Sequence, residues 1–203
     1  MESYEDNQFQ QLVNNADLVV PDGKPLAVGI NMLGIKDAKQ VRGADLTRQL
    51  LKFANTRKLV VGFYGGTKEA VNSIVSLIER DYSSIKLGCS ISPPFRDLTE
   101  KESNDFIKTI NESDIQILFV GLGCPKQEKW MANHKGKITA VMIGVGAVFD
   151  FLSGTKKEAP LFLQNLGLEW LFRLVTEPNR LWYRYAKHNP RFIWYFLKQI
   201  LGN

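Results

Sequence analysis

The stretch KLVVGFYGGTKEAVNSIVSLIERDY, residues 58–82, contains both halves of a β–turn–α unit. Residues 59–64 form a short apolar run rich in β-branched and aromatic side chains, the composition of a buried strand. The run closes on Gly65 and Gly66, which tolerate a sharp turn. Beyond the turn, Val71, Ile74, Val75 and Ile78 recur at helical spacing on one face. A strand, a glycine turn and an amphipathic helix in succession are the repeating piece of an α/β layer fold.

The same alternation extends in both directions. ADLVVPDG (16–23) reads as a strand ending in a Pro-Asp-Gly turn, and ADLTRQLLKFA (44–54) as a helix. Thr99 and Glu102 have capping-box spacing ahead of Phe106, Ile107 and Ile110, predicting a second amphipathic helix. IQILFVGLG (115–123) predicts a third strand, followed by a helix beginning near Pro125. ITAVMIGVGAVFDF (138–151) predicts a fourth, with Asp150 at its end. The expected fold class is α/β: a Rossmann-like parallel or mixed sheet flanked by helices, with a C-terminal helical appendage. Ligands of open parallel sheets sit outside the carboxyl ends of the strands, where these glycine turns gather.

The composition changes near Gly154, so residues 1–155 are read as the α/β core and 156–203 as the appendage. Trp170, Trp182 and Trp194, three of the four tryptophans, fall in the appendage, and Pro178 and Pro190 are expected to divide it into short helices. From Arg173 onward six basic residues face one acid, Glu177, which accounts for the net charge of +5 on the whole 203-residue chain. That asymmetry points to an anionic partner. Arg173, Arg180, Arg184 and Arg191 would share one stripe on an unbroken helix. LEWLFRLV and FIWYFLKQIL are too apolar for a surface that only tracks nucleic-acid phosphates. An interfacial membrane element fits the rings and arginines, with ordinary core packing or an oligomer contact as the bland alternatives.

Several chemistries are excluded or narrowed. Gly144-Val145-Gly146 is followed by Phe149, and Gly121-Leu122-Gly123 by Lys126, where a dinucleotide fingerprint needs a third glycine. No P-loop run and no Asp-x-Asp metal pair occurs, so neither a cofactor nor a metal is expected. A bound diphosphate would then be neutralised by backbone amides and arginines. His134 and His188 lack ligand spacing and read as surface residues. Cys89 and Cys124 read as reduced thiols, and the N-terminus has no signal-peptide pattern. No run reaches the roughly 20 apolar residues of a spanning helix. The expected location is cytoplasmic, peripheral on the inner face of the cell membrane.

Asp22 is either a turn aspartate supporting Gly23 or a carboxylate at a strand end, placed to act as general base. Arg42 is either a surface charge or a clamp on pyrophosphate through its planar fork of donors. In GLGCPKQEKW (121–130), Lys126, Gln127 and Glu128 lie in the first helical turns. They form an ordinary amphipathic start with Trp130 inward, or an anion or sugar pocket. Asp150 could bond a ribose hydroxyl or cap a turn.

Taken together, VVPDG, QVRGADL, the YGG turn, LFVGLGCPKQEKWM, GVGAVFDFLSG and APLFLQNLGLEWLFRLVTEPNR resemble the WecG/TagA/CpsF family of bacterial glycosyltransferases. The resemblance runs in order from about Leu12 to the mid-190s. It implies an inverting, metal-independent transfer of a hexosamine-type sugar, N-acetylmannosamine or its uronic acid, from UDP. The implied acceptor is N-acetylglucosamine on undecaprenyl diphosphate, in the synthesis of teichoic acid or another cell-surface polysaccharide. By resemblance Asp22 matches the proposed base, and Arg42 and Gln127 match residues of the donor and acceptor pocket. Gly65, Gly123, Lys126, Gly146 and Asp150 complete the candidate binding set. Arg173, Arg180 and Arg184 match tail arginines that engage diphosphate at the membrane. Family members begin a few dozen residues earlier, with strands and a Thr-x-Asn motif, so a missing N-terminal segment is expected here. A truncated, non-catalytic membrane-surface or scaffold protein is the alternative reading.

Overall fold

A computed structural model describes residues 1–202. In chain order, helices α1 (Glu2–Glu5), α2 (Asn7–Asn14), α3 (Lys24–Met32) and α4 (Gly43–Arg57) precede strand β1 (Val60–Gly65). Then follow α5 (Lys68–Asp81), β2 (Lys86–Ile91), α6 (Glu100–Glu112), β3 (Ile117–Gly121), α7 (Lys126–His134), β4 (Val141–Gly144) and α8 (Val148–Leu152). The tail forms α9 (Leu161–Leu166), α10 (Glu169–Thr176) and α11 (Pro178–Ile200). The chain makes two compact units, one of residues 11–16 and 43–157, the other of residues 1–10, 17–42 and 158 onward.

The first of these is an α/β sandwich. Its four strands run in the order β2-β1-β3-β4, and every pair is parallel. Side chains alternate between the two faces, as the pleat requires. Val61, Phe63, Ile117 and Phe119 pack on one face with Leu51 and Ala54 of α4, Val71, Ile74 and Ile78 of α5, and Phe149 of α8. Tyr64, Leu118 and Val120 pack on the other with Ile110 of α6 and Trp130 and Met131 of α7. Burial on both faces is why β1 and β3 read as continuous apolar runs. The helix predicted after Gly66 is α5, capped by the Thr67 hydroxyl, which accepts from Ala70 N. The capping box at Thr99 and Glu102 is present with both of its bonds.

Three sequence expectations are corrected in this unit. The run 138–151 is not one strand: β4 ends at Gly144, Gly146 turns the chain with φ +57°, and Asp150 lies within α8. A short apolar run alone does not separate strand from buried helix. Strand β2 went unforeseen because it is an edge strand with only Cys89 buried. His134 is not a surface residue but 8% exposed. Its ring stacks on Trp130 at 4.2 Å, and its Nδ1 lies 2.6 Å from the Trp130 carbonyl oxygen.

The second unit is helical. Residues 17–22, expected as a strand, form none. Leu18 and Val19 are 81% and 59% exposed there. An apolar extended segment becomes a strand only when a neighbour supplies a ladder. Here residues 21 and 22 are tied to residues 40 and 41 by the bonds Val41 N to Pro21 O, 2.9 Å, and Gln40 Nε2 to Asp22 O, 2.7 Å. The second correction concerns Pro190, which lies inside the 23-residue helix α11 instead of breaking it. Packing of the turns that follow the lost donor holds the register: Arg191 pairs with Glu5, the Tyr195 ring lies tilted 4.3 Å from that of Tyr4, and the Phe196 ring fills the space over Gly29. Pro178, by contrast, starts the helix, where its missing N–H costs nothing. Among the described residues, no helix is long and apolar enough to cross a membrane.

Candidate functional site

The chain leaves β1 toward β2 on one side and returns through β3 on the other, so the topological switch point lies between β1 and β3. Ligands of doubly wound sheets settle outside the carboxyl ends of the strands at such a point. The residues there are glycines for steric reasons. Gly65 has φ +124°, and a Cβ on it would lie 2.5 Å from the Gly121 carbonyl oxygen, which accepts from Gly66 N at 3.1 Å. Gly66 and Gly121 both rest on the Phe149 ring, with 3.0 Å and 2.9 Å left for an added Cβ. Gly123, with φ +78°, has nothing within 4 Å of that position and opens the turn into α7.

Helix α7 carries the polar groups of this edge. Gln127 is 7% exposed, and its side chain reaches from α7 to the end of β4. Its Oε1 accepts from Gly146 N at 2.9 Å, and its Nε2 donates to Glu128 Oε1 at 2.7 Å. Gly144 permits this approach, since a Cβ there would meet Gln127 Nε2 at 3.0 Å and Met131 Cε at 2.9 Å. Lys126 is exposed at the helix start. Behind α7, Trp130 stacks on Tyr64 at 4.3 Å, so the helix is braced against the residue that precedes Gly65. Burial pushes the Tyr64 phenol up to about 12, outweighing a hydrogen bond with Trp130 that lowers it. Asp150 is engaged locally, its carboxylate 2.7 Å from Lys156 Nζ. In this unit the structure brings Gly65, Gly123, Lys126, Gln127 and Gly146 to one sheet edge.

The helical unit holds Asp22, Arg42 and the tail arginines. The bonds between residues 21–22 and 40–41 hold Asp22, exposed just ahead of the bend at Gly23, beside the irregular segment that leads to Arg42. Arg42 is not a surface charge: its side chain is 13% exposed. Nε donates to Glu169 Oε2 at 3.1 Å, Nη2 to Glu158 Oε2 at 3.4 Å, and Nη1 to Gln164. The planar fork thus gathers α9, α10 and the segment before them around one cation. These partners lie 116 to 127 residues away in sequence, a separation that leaves no local signal. Arg173 lies on the same face of α10 as Glu169, one turn on. Arg180 pairs with Glu177 at 2.7 Å, and Arg184 is exposed one turn further along α11. The expected four-arginine stripe is therefore divided, because α10 ends before Glu177 and only Arg180, Arg184 and Arg191 share α11.

Arg42 is partly buried, so its removal takes away a cation shared by two carboxylates, Glu158 and Glu169. Arg42→Ala is expected to cost about 1–3 kcal/mol, between the value of a surface pair and that of a fully buried one. Arg42→Lys is expected to recover little, since an ammonium cannot make the fork. Urea melts read both, and an unchanged midpoint for Arg42→Ala would count against the hub. Among the described residues, no group of three or more His, Cys, Asp or Glu side chains is gathered as metal ligands would be.

The sequence model of the family described as "Glycosyl transferase WecG/TagA/CpsF family" matches residues 1–203. The chain belongs to that family. Similar proteins include a transferase of Bacillus spizizenii, 29% identical over 97% of this chain and 74% of the relative. One from Bacillus subtilis is 30% identical over 86% of this chain and 67% of the relative. A third, from Staphylococcus aureus, is 28% identical over 85% of this chain and 66% of the relative. Each of the three carries the name N-acetylglucosaminyldiphosphoundecaprenol N-acetyl-beta-D-mannosaminyltransferase. The WecG/TagA/CpsF match spans the residues of both compact units. Within the family's matching stretches, sequence reading picked out Gln127 but neither its bond to Gly146 nor the Phe149 ring beneath the glycines. Both depend on elements that meet only after the sheet has formed.

Proposed function

We propose that this family member transfers N-acetylmannosamine, or a closely related hexosamine, from UDP to N-acetylglucosamine carried on undecaprenyl diphosphate. The product would enter teichoic acid or another cell-surface polysaccharide. The observation that carries this reading is the glycine-lined carboxyl edge at the β1/β3 switch point, where backbone can approach a nucleotide closely. The sugar and the acceptor are taken from the shared name of the relatives. In the proposed reaction the Asp22 carboxylate removes the proton from the acceptor hydroxyl as its oxygen attacks the anomeric carbon. The bond to UDP breaks on the opposite face, which inverts the anomeric centre. No metal is required, because backbone amides and guanidinium groups of Arg173, Arg180 and Arg184 carry the diphosphate charge.

The surface of helix α11 suits a lipid-linked acceptor. Trp182, Ile193 and Leu197 fall on one side of α11 by the roughly 100° step per residue, and they are 59%, 56% and 48% exposed. Arg180 and Arg184 lie on a different side of the same helix, the arrangement of an element that rests at a headgroup boundary. The test is incubation of the full chain with UDP-N-acetylmannosamine and a short-chain N-acetylglucosaminyl diphospholipid. Expected are UDP release, a disaccharide-lipid product of inverted anomeric configuration, and turnover that survives EDTA. Absence of UDP release with every UDP-hexosamine tried would overturn the proposal.

A further inference from the structure

One buried polar atom at the sheet edge has no role in the reaction just described. Glu128 Oε2 is buried and accepts no hydrogen bond within the protein. Its twin, Oε1, accepts from Gln127 Nε2 at 2.7 Å. The Gln127 amide is in turn held by Gly146 N at the end of β4. Gly146 N–H can only donate and a carboxylate can only accept, so the two fix which way the amide faces. The Glu128 carboxylate is thereby held in one place, one oxygen bonded and the other idle. Desolvating a carboxylate oxygen without a partner is costly, and such atoms in folded proteins call for a cause, a missing ligand among them. The folded chain carries this cost at the carboxyl edge of a parallel sheet, where ligands of this fold class bind.

We infer that Glu128 is a donor-recognition residue whose Oε2 accepts a hydrogen bond from a hydroxyl group of the bound UDP-sugar. The inference rests on the transferase reading and adds to it the group that reads the donor's polyol. Charge decides which part of the donor is read. An anionic oxygen repels the diphosphate, whereas a neutral hydroxyl completes its missing bond. Hydroxyls of this kind occur on the ribose and on the hexosamine. A site with a buried acceptor left unpaired discriminates strongly against an analogue that lacks the donor group.

The inference is tested by isothermal titration of the full chain and its Glu128→Ala and Glu128→Gln variants with UMP, UDP and UDP-N-acetylmannosamine, beside thermal melts. Glu128→Ala is expected to weaken UDP-sugar binding by about tenfold or more, as for loss of a bond to a charged group. Glu128→Gln keeps an acceptor oxygen for Gln127 Nε2, so it is expected to melt near wild type and to bind the UDP-sugar with an affinity between Ala and wild type. Glu128→Ala is expected to lower the ligand-free melting temperature, because the buried Gln127 Nε2 loses its acceptor. A Glu128 that acted only by holding Gln127 would leave Glu128→Gln binding at the wild-type level, and that result would overturn the inference. Equal weakening for all three ligands assigns the ribose, and weakening confined to the UDP-sugar assigns the hexosamine. If wild type binds UDP-N-acetylmannosamine and both variants match it within twofold, the Glu128 inference is overturned while the transferase reading stands. If wild type binds none of the three ligands, both fall together.

Discussion

Replacing Asp22 with asparagine is expected to lower the turnover of glycosyl transfer by about 10²–10⁴-fold, the usual contribution of a positioned general base. The substitution is nearly isosteric and removes the carboxylate's charge together with its ability to take a proton. The segment that carries Asp22 is held by main-chain acceptors, Pro21 O to Val41 N and Asp22 O to Gln40 Nε2, which asparagine leaves in place. The residue is exposed, so thermal stability is expected to change by no more than about 1 kcal/mol and UDP affinity to stay at the wild-type value. The measurement is single-turnover transfer at saturating donor and acceptor, with UDP titration as the control. Full turnover in Asp22→Asn would move the base to another residue, and a parallel loss of UDP binding would give Asp22 a part in holding the donor instead.

The second large effect concerns stability. Gly65→Ala puts a methyl group 2.5 Å from the Gly121 oxygen and 2.6 Å from its carbonyl carbon, at φ +124°. Both obstacles are backbone, so no side-chain rotation relieves them. Backbone strain alone is worth about 1–3 kcal/mol, and the clash pushes β1 from β3 at the centre of the sheet. A total loss of about 3 kcal/mol or more is expected, a fall of about 6–12 °C in melting temperature for a chain of this size. Gly123→Ala is the matched control. Its φ is also positive, +78°, but the space around it is open, so only the conformational cost of about 1 kcal/mol should appear. Equal losses in the two variants would show that the close approach of β1 to β3 adds nothing.

Much of the fold was legible because it rests on local periodicity. The β1–turn–α5 unit, the Thr99–Glu102 capping box and strand β3 each declare themselves within a window of a few residues. The likeness to the family likewise resides in contiguous stretches such as GLGCPKQEKW and LGLEWLFRLV. Parts of the candidate site were legible for the same reason: the glycines at the strand ends mark where a chain turns tightly or approaches another. Asp22 and Gln127 stood out as polar residues at the borders of apolar runs.

What depends on partners distant in sequence could not be read that way. Residues 17–22 have the composition of a strand and form none, because a strand exists only through its neighbour's hydrogen bonds. Pro190 has the signature of a helix end and sits mid-helix, because Glu5, Tyr4 and Gly29 receive the turns that follow it. Arg42 reaches Glu158, Gln164 and Glu169 from far along the chain, and His134 is buried by stacking on Trp130. The residue types, and so the chemistry on offer, belong to the sequence. Which acceptor is satisfied and which, like Glu128 Oε2, is left waiting was decided only when strands and helices met.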